Sequence, residues 1–146
     1  MNKVLLALFL TDSICWGSKG LGGEVYAPIQ FESQHVSWIV TNDCPPLWYW
    51  NFKDGSAMDA KGISFLVFSM HHLNQPFHNG IFHPDATFLT PINITNGGIV
   101  YIANGIDLDI LLPSTSQIYH QVIAFTDNQS VPGGFTMTPG RMIYKP

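Results

Sequence analysis

Residues 97–128 constrain this chain more than any other stretch. Asn104-Gly105 stands between two β-favouring runs, and a two-residue type I′ turn needs φ > 0 at both central positions, which Asn and Gly tolerate best. After that dipeptide the alternation is strict. Ile106, Leu108, Ile110 and Leu112 fall on one face, and Asp107 and Asp109 on the other. A period of two with one apolar face describes a strand laid over a core with its back to water. Pro113-Ser114-Thr115-Ser116 is a turn by composition, and residues 117–128 form another β-favouring run. The block therefore predicts three consecutive antiparallel strands.

The rest of the chain repeats that theme in short units. Residues 24–31 and 35–41 read as two short strands, the second with Val36, Trp38 and Val40 on one face. The prolines of Asn42-Asp43-Cys44-Pro45-Pro46 cannot donate to a ladder and mark a turn. Residues 47–52 form a strand with Trp48, Trp50 and Phe52 pointing one way and Leu47 and Tyr49 the other. Ser56-Ala57-Met58-Asp59 fits a capping box and predicts one helical turn. Residues 63–70 are a continuous apolar run, expected to be buried on both faces. Residues 71–85 are polar and rich in His, Asn, Pro and Gly, and are expected as a long irregular loop. Residues 86–94 read as a strand that Pro91 confines to an edge or a bulge. Pro139-Gly140 carries the type II signature and predicts a closing hairpin between residues 135–138 and 141–145. Eight to ten short strands at this spacing predict an all-β, single-domain antiparallel sandwich of jelly-roll type with at most one short helix.

The N-terminus reads in two ways. Lys3, the apolar run Val4-Leu5-Leu6-Ala7-Leu8-Phe9-Leu10 and the small residues around Cys15-Trp16-Gly17 resemble a signal peptide cleaved after Gly17. The alternative is an apolar arm that packs on this molecule or on a neighbour. The run is too short to span a bilayer. Residues 18–23 are Gly-rich and expected as a flexible connector, so residues 1–23 divide from a sandwich domain at 24–146.

Charge excludes some functions. Only 11% of residues are charged, against roughly 25% in an average soluble domain. Six Lys and Arg residues, of which Arg141 is the one arginine, are too few to track a phosphate backbone and read bases. Two cysteines, Cys15 and Cys44, allow one bridge and no metal-type pair.

Three groups of residues are candidates for a site. His71, His72, His78 and His83 lie within thirteen positions beside Asp85, and imidazole is the commonest transition-metal ligand. Against a metal site, the spacing contains neither His-Glu-x-x-His nor His-x-His. Trp48, Trp50 and Phe52, with Tyr49 opposite, would stack on sugar rings if exposed, or line the core if not. Asp107 and Asp109 would stand about 7 Å apart on one strand face, suited to Ca²⁺ or to a solvated outer surface that blunts aggregation. The sequons Asn93-Ile94-Thr95 and Asn128-Gln129-Ser130 matter only in a secreted eukaryotic protein. No nucleophile elbow, phosphate-cradling loop or dinucleotide fingerprint is present, so serine catalysis, nucleotide hydrolysis and hydride transfer have no handle.

The sequence thus favours a non-catalytic structural protein of a virion or the extracellular space, such as a capsid, decoration or tail-fibre component. It would need no cofactor and would act by self-association, a trimer included, or by contact with other structural proteins. The alternatives are a secreted carbohydrate-binding module using Trp48 and Trp50, and a metal-dependent, cupin-like enzyme using the histidine segment.

Overall fold

The computed structural model describes residues 15–25, 36–41, 46–53, 63–86, 88–94, 98–104, 110–125 and 132–145. They build an all-β, antiparallel sandwich. The larger sheet runs in the order β1 (Gly17–Gly22), β11 (Gly140–Tyr144), β9 (Gln117–Phe125), β4 (Ile63–Ser69) and β7 (Phe88–Asn93), with β10 (Phe135–Met137) also paired to β9. The smaller sheet is β2 (Val36–Val40), β3 (Leu47–Phe52) and β8 (Gly98–Asn104). A separate hairpin joins β5 (His72–Phe77) to β6 (Gly80–Pro84).

The core lies between the two sheets. Trp50 and Phe52 of β3 and Val100 of β8 meet Leu66 of β4 and Val122 and Ala124 of β9, with Ile94 beyond β7. Beside them Trp48 packs against Trp16, Ile118 and Ile143. The even-numbered residues of β9 therefore face the smaller sheet. Its odd-numbered residues Tyr119 and Gln121 are also buried, under the β5–β6 hairpin, which crosses the other face of the larger sheet. The central strands are covered on both sides, which is why β9 and β4 read as apolar runs without clean alternation.

Several elements match their sequence signals. β2 and β3 are antiparallel in a register that sets Trp38 opposite Trp50. The apolar run at β4 is buried on both faces, and β7, which carries Pro91, is the edge of its sheet. Ser116 closes the turn after Pro113, its amide and its hydroxyl both donating to the Pro113 carbonyl.

Four expectations are corrected. Residues 97–128 do not form three consecutive paired strands: β8 and β9 belong to different sheets, and Ile110 and Leu111 have helical backbone and are 79% and 74% exposed. The alternation that suggested a strand there is real but short, and β8 pairs with the Trp-rich β3 instead. Residues 71–85 are not an irregular loop but the β5–β6 hairpin. Its turn has φ 50° at the first central residue, His78, and its β5 arm carries a bulge where Leu73 and Asn74 oppose His83. Residues 135–145 do not fold on themselves. β10 and β11 both run antiparallel to β9 as one interrupted strand, with Thr138, Pro139 and Gly140 opposite only Gln121 and Val122. Residues 18–23, glycine-rich and expected as a connector, are largely strand β1, paired with β11. Glycine is used here for close approach, since a Cβ on Gly20 would press on the Arg141 guanidinium at 3.3 Å. Glu24 and Val25 are not strand, and the expected features at 26–31, 56–59 and 106–109 lie outside the described residues.

Cys15 is disulfide-bonded, and the sequence offers one other cysteine, Cys44. Trp16 beside it is 4% exposed, with the Lys145 ammonium 5.7 Å from its ring centroid. Removal of residues 1–17 would strip that ring from the core along with the disulfide cysteine. No helix among the described residues is long and apolar enough to cross a membrane.

Candidate functional site

The aromatic row is where alternation placed it, and it points inward. Trp48, Trp50 and Phe52 are 0%, 0% and 1% exposed. Trp16 meets Trp48 edge-on at 6.0 Å, and Trp38 meets Trp50 likewise at 5.2 Å. Stacking on a sugar requires a free ring face, and these rings have none, so the exposed-indole reading fails at Trp48, Trp50 and Phe52. Tyr49 is half-buried on the opposite face of β3.

Against this row sits a residue that sequence reasoning passed over. His120 of β9 is fully buried, 4.5 Å from the Trp38 ring centroid, and its Nδ1 accepts a 3.3 Å hydrogen bond from Trp50 Nε1. Its Nε2 has no hydrogen-bond partner among the described residues. Burial, and then the nearby Arg141 charge, push its pKa down to about 3, so the ring is neutral at physiological pH. An isolated His in an apolar strand gives no sequence signal of such a role.

The four histidines of the 71–85 segment do not converge. The hairpin puts His78 at its tip, about 20 Å of strand from His72. His71 is exposed at the neck. No group of three His, Cys, Asp or Glu side chains among the described residues is placed to hold a metal ion.

Two of the four do meet, because the bulge in β5 turns His72 toward His83. His72 Nε2 and His83 Nδ1 are 2.9 Å apart, and His83 Nε2 lies 3.2 Å from the Gly22 carbonyl. That carbonyl can only accept, so His83 Nε2 carries a proton. In the neutral ring Nδ1 is then the acceptor, and His72 Nε2 is the donor. The His72 ring stacks on Tyr119 at 4.5 Å and 8°. The His83 amide donates to Gln121 Oε1 at 2.8 Å, while Gln121 Nε2 donates to the carbonyls of Ile81 and Thr138. The Ile81 amide donates to the Gly23 carbonyl at 2.9 Å. These bonds dock the hairpin on the sheet. Gly140 makes room for them, since a Cβ there would fall 2.2 Å from His83 Cδ2.

A third feature is apolar and open. The edge strand β7 exposes Phe88 (53%) and Leu89 (56%), and Met70 and Leu111 stand nearby. Phe68, Ser69, Met70, Phe88, Leu111, Leu112 and Ile118 line a cavity of about 190 Å³. Phe88 stacks on Phe68 at 5.1 Å, so this surface is ordered against the core. Asn93, the acceptor position of one sequon, is exposed at the end of the same strand. Asp107, Asp109 and Asn128 lie outside the described residues.

No protein-family model, curated protein or solved structure matches this chain.

Proposed function

We propose that this protein works by contact rather than by catalysis: it is a structural component that assembles through the β7 edge of its larger sheet, with a second copy as the first partner. The observation that carries this reading is the exposed apolar side chains at the β7 edge, Phe88 beside Met70 and Leu111 on one face of the sheet and Leu89 on the other. An edge strand offers unpaired backbone groups, and natural proteins blunt such edges with charge when they must stay apart. β7 carries no charged residue. Pairing two copies edge to edge would be isologous and close on itself. The disulfide at Cys15 supports assembly outside the reducing cytosol, in a virion or the extracellular space.

The test is the mass of the full chain in solution by light scattering, from micromolar to near-millimolar concentration. Wild type should associate. Leu89→Lys and Leu111→Glu, both at exposed positions, should yield monomers with unchanged melting temperature. A wild type that stays monomeric throughout overturns the reading.

A further inference from the structure

The β5–β6 hairpin leaves and re-enters the larger sheet at one neck. Phe68 at the end of β4 is register-paired with Phe88 at the start of β7. At that neck the Asp85 amide donates to the His71 carbonyl, and the His71 amide to Ser69 Oγ. Away from the neck, the hairpin is held chiefly by the polar bonds around His83. Leu73, Phe77 and Ile81 are substantially exposed, so the apolar share of the docking falls to Phe82, half-buried, and Pro84, buried.

We propose that His72 and His83 form an acid-sensitive latch that releases this hairpin from the outer face of the larger sheet. Two imidazoles joined nitrogen to nitrogen can share one added proton, because His72 Nε2 donates whether its ring is neutral or cationic. They cannot accept two. A proton on His83 Nδ1 sets two donors face to face at 2.9 Å and puts two positive rings side by side. The latch therefore yields on the second protonation of the pair.

The surroundings favour release over tolerance. His83 is 4% exposed, and burial first, then the His72 charge, lowers its pKa, against the Gly22 carbonyl, which raises it. Facing the node from β1 is Lys19, followed by Glu24 beyond its end. From β9 comes Tyr119, and from β11 Tyr144 on the same face. Asp85 and His71 stand at the neck. Arg141 points to the opposite face of the sheet, beside His120. Of all these groups only His72 adds charge that acts on His83. The sign follows. A base with a depressed folded pKa contributes docking free energy in full above pH 6.5, and that contribution is lost as the pH falls toward the folded value.

The experiment is amide hydrogen exchange on the full, disulfide-intact chain at pH 7.5 and pH 5.0, corrected for intrinsic rates. Peptides covering Gly80–Pro84 should lose about tenfold in protection at pH 5.0 relative to those covering Leu47–Phe52. In His83→Gln, which cannot titrate, the ratio should stay constant. In His72→Gln, which keeps a donor but removes the neighbouring charge, the docked His83 takes up a proton more readily, so less protection should be lost at pH 5.0 and the release midpoint should move to lower pH. Hairpin protection that is unchanged at pH 5.0, or that falls in step with Leu47–Phe52, overturns the proposal. So does an unshifted midpoint in His72→Gln.

Discussion

Acid should destabilise the whole molecule through His120, and the size of the effect can be worked out from its surroundings. Unfolded, the ring takes a proton near pH 6.5. Folded, it resists protonation down to about 3, because a cation there would sit among Trp38 and Trp50 beside Arg141. Between those limits the unfolded chain binds a proton that the folded chain refuses. Stability then falls with pH by about 1.4 kcal/mol per unit. Stability is complete above pH 6.5, and the loss accumulates to on the order of 5 kcal/mol by pH 3, comparable with the total stability of a small domain. The assay is urea unfolding of the disulfide-intact chain at pH 7.5, 6, 5 and 4, for wild type and His120→Asn. Asn retains an acceptor for Trp50 Nε1 but has no proton to take up. The wild-type curve should drop faster, and the difference between the two slopes is the contribution of His120. Parallel curves would show that the buried ring does not carry this linkage, and would refute the reasoning from its burial.

Other outcomes follow from packing. Cys15→Ser should cost about 3–4 kcal/mol by loop entropy if the bridge closes on Cys44, read as a lower midpoint in the same urea titration. Gly140→Ala and Gly17→Ala should separate sharply. At Gly140 the new methyl meets a His83 ring fixed by two polar contacts, with the His83 amide held by a third, and should cost on the order of 2 kcal/mol by calorimetry. At Gly17 it meets the ring of Tyr144, which is 37% exposed and free to swing away, so the change should be within about 0.5 kcal/mol.

The fold class was readable because strand period and turn chemistry are local. Trp48, Trp50 and Phe52 alternate in the sequence and alternate in the structure. What lay beyond local pattern was pairing. Nothing in residues 98–104 and 117–125 says that they join different sheets, because each run is β-favouring and either partner satisfies its backbone. Nor does composition separate a polar loop from a polar hairpin. β5 is exposed along its whole length and carries Pro76, so it lacks the apolar alternation by which strands are recognised. The site followed the same rule. The aromatic row was visible as a row, but its orientation depended on a second sheet. His72 and His83 were visible as histidines, but their contact depended on a bulge at Leu73 and Asn74. His120 was the least visible, since its neighbours Trp38 and Trp50 come from strands some seventy or more positions earlier in the chain.

Because Phe68 and Phe88 stand opposite each other, the nineteen positions between them form a detour that begins and ends at the same place. The pairing of β4 with β7 does not need what the detour contains. A chain built this way can lengthen, shorten or exchange that excursion while its central strands keep their partners. The outward surface of the larger sheet is thus open to revision independently of the sandwich beneath it.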